Sequence, residues 1–475
     1  MRQGSFVIPP RKRWTGEPQV LDALSGWLSA RGGRLSTRKE EAHPAGWLRF
    51  RLDPRRSDLG DEGYELVVEP HEASAVSRTH AGLIFAAQTL RQLAAGREGA
   101  VPCCRIVDRP RFSWRGVHLD CARHFFPVET VIRFIELASF HKLNRFHWHL
   151  TDDQGWRLQI RSRARLTPGG AAGRFYSHKD ARRVVDHAQA LGVTVVPEID
   201  LPGHMQAAIA AYPELGSAGG RVGVRRSWGI SRHVLNADPE TVQFLEEVLG
   251  EVLQLFPGRW IHLGGDEVIT DQWKASRPVQ RRMGELGLRN ERQLQGWFAA
   301  HFAHLLSERG RSMIGWDEVL ESTEGRLPEG SLLMSWRGTR HGVTAARAGF
   351  DVVMTPTSHT YFDYSQAPAG PNLRMVAGQK QACTLKRVYG YEPVPRALEG
   401  AGAAHILGTQ GQLWSERIPD QDTLDRQAFP RLCALSEVCW SPRASRSWKS
   451  FRERLAGHLT ALEDLGVRYY RGASA

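Results

Sequence analysis

An α/β chain built on a closed (β/α)8 TIM barrel, preceded by a small α+β N-terminal domain, is the architecture this sequence predicts, and three observations predict it. The chain has 475 residues, more than one ordinary domain needs and enough for a large barrel with an appendage. From Trp114 onward, eight short β-rich runs alternate with amphipathic helical stretches, the texture of repeated βα units around a parallel sheet. Polar and aromatic clusters follow nearly every run, where a barrel carries its active groups.

Residues 1–108 read as the small α+β unit, with a strand over residues 64–69 and a helix over residues 82–93. Residues 109–475 read as the barrel. Its strands are expected at residues 116–120, 145–150, 193–196, 260–263, 313–316, 332–336, 351–354 and 405–408. A doubly wound open sheet competes, but no GxGxxG follows the first strand, and the roughly 360 residues available suit a barrel. No internal repeat beyond the βα alternation and no low-complexity tract is found.

Hydrophobic residues make up 41%, charged residues 24% and aromatic residues 9%, which assures a buried core and excludes a disordered chain. The formal charge of +12 comes from 55 Arg and 8 Lys against 51 acidic residues, spread along the whole length rather than gathered in a patch. That spread argues against a nucleic-acid partner. Cys103, Cys104, Cys121, Cys383, Cys433 and Cys439 show no CxxC spacing and are expected to be mostly free thiols. The first thirty residues carry Pro9, Pro10 and Arg11-Lys12-Arg13 without the apolar stretch of ~7–15 residues that a signal peptide needs, which points to the cytoplasm. No run approaches the ~18 apolar residues of a membrane span.

The chemistry lies after the strands. Asp120 to His124 follow the first, Thr151 to Trp156 the second, Pro197 to His204 the third, Gly264-Gly265-Asp266-Glu267 the fourth, Trp316-Asp317-Glu318 the fifth and Gln412 to Glu416 the eighth. One such cluster is ordinary turn material. Six of them, with Trp repeatedly beside carboxylates, fit sugar recognition: indole faces cover the apolar faces of a ring while carboxylates and Arg meet its hydroxyls. Asp266-Glu267 is the sharpest pair, because glycoside hydrolysis needs an acid for the leaving oxygen and a second group for the cationic centre. Gly265 lets the backbone depart from strict alternation, so that both side chains reach one pocket.

Through these clusters the chain resembles the β-N-acetylhexosaminidases of glycoside hydrolase family 20. The resemblance rests on the stretches 119–127, 149–157, 197–204, 262–267, Gly315-Trp316-Asp317-Glu318, Ser335-Trp336-Arg337-Gly338, Tyr361-Phe362-Asp363 and Leu413-Trp414-Ser415-Glu416, in the family's order over roughly residues 110–445. It implies a retaining reaction in which the substrate's 2-acetamido oxygen is the nucleophile, with no cofactor. By resemblance, Glu267 is the general acid, Asp266 takes the acetamido N–H and Tyr361 the acetamido carbonyl. Trp316, Trp336 and Trp414 wall the sugar, Arg123, Asp363 and Glu416 bind its hydroxyls, and Asp152 with His204 supports the acid. The departure lies between Trp156 and Tyr176. Family members carry a longer loop with another aromatic there, on the leaving-group side, where this chain reads Leu166 to Arg174.

Two rivals have residues of their own. His147-Trp148-His149 puts two histidines on one face of a strand, as metal-dependent barrel hydrolases do. With no further histidine cluster at later strand ends, one is expected to pack and the other to bond backbone. A non-catalytic sugar-binding barrel is the second rival, and the presence of both Asp266 and Glu267 argues against it.

Overall fold

In the computed structural model, residues 4–7, 13–18, 20, 34–35, 47–95, 100–170, 173–367, 381–398 and 400–474 are described. Eight parallel strands close into a barrel in chain order. They are β1 (Trp114–Asp120), β2 (Arg145–His149), β3 (Thr194–Glu198), β4 (Trp260–His262), β5 (Ser312–Trp316), β6 (Leu332–Ser335), β7 (Asp351–Met354) and β8 (Ile406–Gly411). All eight runs read from the sequence become strands, with ends moved by up to three residues. β8 runs on to Gly411 because Thr409, Gln410 and Gly411 pair with Arg115, Gly116 and Val117 of β1, the ladder that seals the barrel.

The strands are covered on both sides, which is why they read as nearly unbroken apolar runs; every residue of β1 is buried. Parallel register sets His118 opposite His147, Asp120 and Glu198 opposite His149, and His262 opposite Glu198. Residues in register on neighbouring strands point to the same side, so sequence-distant polar groups meet inside the barrel.

The N-terminal residues form a mixed sheet in which Trp47–Leu52, Glu72–Ser77, Tyr64–Glu69 and Cys104–Asp108 lie side by side, with Arg13–Gly16 and Arg34–Leu35 beyond the first. The helix His80–Ala94 packs on this sheet, started by Thr79, whose hydroxyl accepts from the Gly82 N–H at 3.3 Å. The strand expected at 64–69 is found with those bounds, and the helix is a little longer than expected. Trp440, at the end of the barrel helix Arg431–Trp440, is buried in this unit's core against Phe85 and Tyr64.

None of the six cysteines is in a disulfide. Among the described residues no helix is long and apolar enough to cross a membrane. Pro9, Pro10, Arg11 and Lys12, on which the reading of the N-terminus rested, lie outside the described residues, as do Ala171 and Ala172 of the short loop.

Candidate active site

After β4 the chain turns through Gly264 at φ 63° and Gly265 at φ 91°, and Glu267 itself is left-handed at φ 51°. A side chain at Gly264 would put its Cβ 1.7 Å from Asp200 Oδ1, so only glycine lets the turn lie on that carboxyl. The Gly265 N–H donates to the same oxygen at 3.1 Å, and Gln295 Nε2 donates to the Gly265 carbonyl at 2.8 Å. The turn thereby presents consecutive carboxylates to one imidazole: His204 Nε2 lies 3.8 Å from Asp266 Oδ2 and 3.7 Å from Glu267 Oε2. Asp266 is 9% exposed, and its Oδ1 is buried without a hydrogen-bond partner among the described residues.

Behind His204 runs a chain of charged groups. His204 Nδ1 lies 3.2 Å from Asp152 Oδ1, Asp152 Oδ2 faces His149 Nε2 at 2.9 Å, and His149 Nδ1 meets Glu198 Oε2 at 2.5 Å. Burial alone would discharge His149, but Glu198 and Asp152 outweigh it and hold the imidazole well above its ordinary range. His204 is held up in the same way, burial being outweighed by Asp152, Asp200 and Asp266. Glu267 moves the other way for a carboxyl: burial, then the charge of Asp266, push it up to about 7, against a lowering pull from His204 and Arg123.

Aromatic groups surround this edge. Trp316 is fully buried and donates its indole N–H to Glu198 Oε1 at 3.1 Å, forming the floor. Trp414 lies 5.9 Å from Trp316 and 6.5 Å from Tyr361, ring centre to ring centre, and Trp336 stacks on Tyr361 at 6.3 Å. Arg123 lies over Trp414 at 5.0 Å with Nη2 on Asp152 Oδ2 at 2.8 Å. Asp363 is buried, and burial together with the charge of Glu416 raises its carboxyl well above the ordinary range. Its Oδ1 has no hydrogen-bond partner among the described residues. The carboxylates, histidines, Arg123 and aromatic residues described above therefore gather at one end of one barrel.

The catalytic-domain model of glycosyl hydrolase family 20 matches residues 112–443, and the family's domain 2 model matches residues 1–109. The chain belongs to glycosyl hydrolase family 20. A β-hexosaminidase of Vibrio furnissii is 38% identical over 459 residues, covering 91% of this chain and 74% of that one. One of Porphyromonas gingivalis is 37% identical over 432 residues, 87% of this chain, which spans only 55% of that longer relative. The crystal structure of a Vibrio harveyi family 20 exo-β-N-acetylglucosaminidase in complex with N-acetylglucosamine superposes with a TM-score of 0.86 at 32% identity, covering 99% of this chain and 76% of that one.

Four things in this family 20 enzyme escape a reading of its sequence. The expectation that His147 and His149 stand without later histidines, one packing and one on backbone, is corrected. His262 stacks on His147 at 4.5 Å, His118 meets it edge-on at 4.8 Å, and Glu198 Oε2 lies 3.0 Å from His147 Nε2 as well as against His149. These partners come from β1, β3 and β4, so only strand register reveals them. Glu318 holds the Trp336 indole N–H at 3.0 Å and is pushed up to about 9 by burial and by Asp266. Asp200 seats the glycine turn. Both stand in the strand-end clusters, and polarity after a strand was the available signal. Trp228 is 44% exposed at the rim, 5.4 Å from the ring of His124.

Proposed function

We propose that this family 20 chain hydrolyses terminal β-linked N-acetylhexosamine with retention, the substrate's own acetamide serving as nucleophile. The observation that carries the reading is the Gly264–Gly265 turn, which delivers two consecutive carboxylates in different environments to the reach of one imidazole. The enzyme is then a β-N-acetylhexosaminidase.

Glu267, about half protonated near pH 7, gives its proton to the glycosidic oxygen and afterwards takes one from water. Asp266 accepts the acetamido N–H on its free Oδ1 and balances the positive charge that develops as the carbonyl oxygen closes on the anomeric carbon. The buried Tyr361 hydroxyl binds that carbonyl. Trp316, Trp336 and Trp414 enclose the methyl group and the ring, while Arg123, Asp363 and Glu416 take the hydroxyls. The chain Glu198–His149–Asp152–His204 keeps a fixed positive imidazole beside the acid, so the Glu267 carboxylate left after proton transfer is stabilised.

Turnover of aryl N-acetyl-β-glucosaminide and N-acetyl-β-galactosaminide beside the plain β-glucoside tests the proposal. The expected result is hydrolysis of the acetamido sugars alone, with a thiazoline mimic of the cyclised intermediate binding far more tightly than product. A sugar trapped on a side chain by a 2-fluoro glycoside would overturn the substrate-assisted route.

A further inference from the structure

At the opposite end of the barrel strands from Glu267, three soft donors converge. His141 follows the helix Val128–Phe140, Cys433 stands in the first turn of the helix Arg431–Trp440, and His458 stands in the C-terminal helix Trp448–Asp464. His141 Nε2 lies 2.9 Å from His458 Nε2 and 3.4 Å from Cys433 Sγ, and the three donor atoms all lie within 4.8 Å of one another. We propose that His141, Cys433 and His458 form a zinc site that ties the C-terminal helix to the barrel.

The donor set and its spacing support zinc. Tetrahedral zinc with Zn–N of about 2.05 Å and Zn–S of about 2.3 Å separates its ligands by about 3.3–3.6 Å, so the nitrogens need part by only about half an ångström. His141 is already oriented as a ligand: its Nδ1–H donates to the Leu137 carbonyl at 2.6 Å, which fixes the tautomer and turns a bare Nε2 lone pair toward the cluster. The His458 ring is held parallel to Phe140 at 5.7 Å.

All three residues line a cleft of about 710 Å³ between the N-terminal unit and the barrel, an entry path for the ion with room for a water as fourth ligand. Proton balance is simple. The Cys433 thiol releases one proton to solvent, and His458 moves its proton from Nε2 to Nδ1 as Nε2 turns from donor to ligand. The charge left by Zn²⁺ and thiolate is +1; the same cleft is lined by Asp108, Glu437 and Glu453 as well as Lys142 and Arg454, with Glu437 paired to Arg454 at 2.8 Å.

The test uses the full chain, stripped by dialysis against dipicolinate and titrated with Co²⁺ and then Zn²⁺, with aryl-glycoside turnover as the check on folding. One Co²⁺ per chain is expected, with the intense visible bands of four-coordination and a thiolate charge-transfer band in the near ultraviolet, displaced by one equivalent of Zn²⁺. Cys433→Ser should abolish the charge-transfer band, and His458→Gln, at a half-buried position, should weaken binding at least tenfold. A wild-type chain without stoichiometric binding overturns the site. So does a charge-transfer band that survives in Cys433→Ser, or an affinity unchanged in His458→Gln.

Discussion

Two adjacent carboxylates do different work only if their surroundings differ, and Glu267 and His204 are where that difference is set. Glu267→Gln keeps the shape but removes the transferable proton; turnover is expected to fall by about two to four powers of ten, less for substrates with excellent leaving groups. As the proposed acid, Glu267 acts in its protonated form, and with its pKa raised to about 7 the wild-type kcat/KM is expected to decline as pH rises through that value. The positive charge of His204 pulls that pKa down, so in His204→Gln the alkaline limb should move to higher pH, read from a kcat/KM profile; an unmoved limb would detach His204 from the acid. At this scale the sequence was legible where chemistry sits in contiguous letters: Asp266-Glu267 beyond two glycines, or Asp152 and His204 in loops after β2 and β3. It was illegible where the partner is set by register, because His149 and Glu198 stand 49 positions apart and nothing in either neighbourhood names the other.

The elements that hold these residues are a glycine turn and a rim loop, and each makes its own demand. Alanine at Gly264 must adopt φ near 63° and place its Cβ 1.7 Å from Asp200 Oδ1, so Gly264→Ala should lower both Tm and turnover. The clash is with one carboxyl, so adding Asp200→Ala should recover part of the lost Tm, a coupling that a double-mutant cycle by thermal melting measures directly. All eight strands were visible in the sequence because burial on both faces forces continuous apolar runs. The loops were not, since their course follows from what they bond. The segment carrying Trp228 is held by Arg225 N–H on the Asp153 carbonyl at 3.1 Å and Ser231 N–H on Asp153 Oδ2 at 3.2 Å. The expectation is that a second sugar stacks on its exposed indole, beside His124. Trp228→Ala should therefore raise KM several-fold for the β-linked disaccharide of N-acetylglucosamine and leave the aryl glycoside unchanged, a split that steady-state kinetics resolves.

Across the whole molecule the N-terminal sheet and the barrel share buried groups, which decides how they unfold. Arg115 of β1 is 1% exposed at its side chain and grips Glu62 of the N-terminal unit through two bonds, at 2.7 and 3.1 Å. Glu62 also accepts from Asn144 Nδ2 at 2.7 Å. The same guanidinium lies 5.3 Å from the ring of Phe85 and 5.1 Å from that of Trp440, and the Trp440 indole N–H donates to Asp108 at 2.8 Å. Removing Glu62 leaves a buried cation unpaired, so Glu62→Ala should cost on the order of 3 kcal/mol. Neither unit can open alone without exposing Trp440, whose ring completes the N-terminal core from a barrel helix. Scanning calorimetry of the full chain is therefore expected to give one cooperative transition, with that of Glu62→Ala shifted to lower temperature as a single peak. Two resolved transitions in the wild-type chain, with aryl-glycoside turnover persisting through the lower one, would show that the sheet is an independent appendage and not part of the barrel's folding unit.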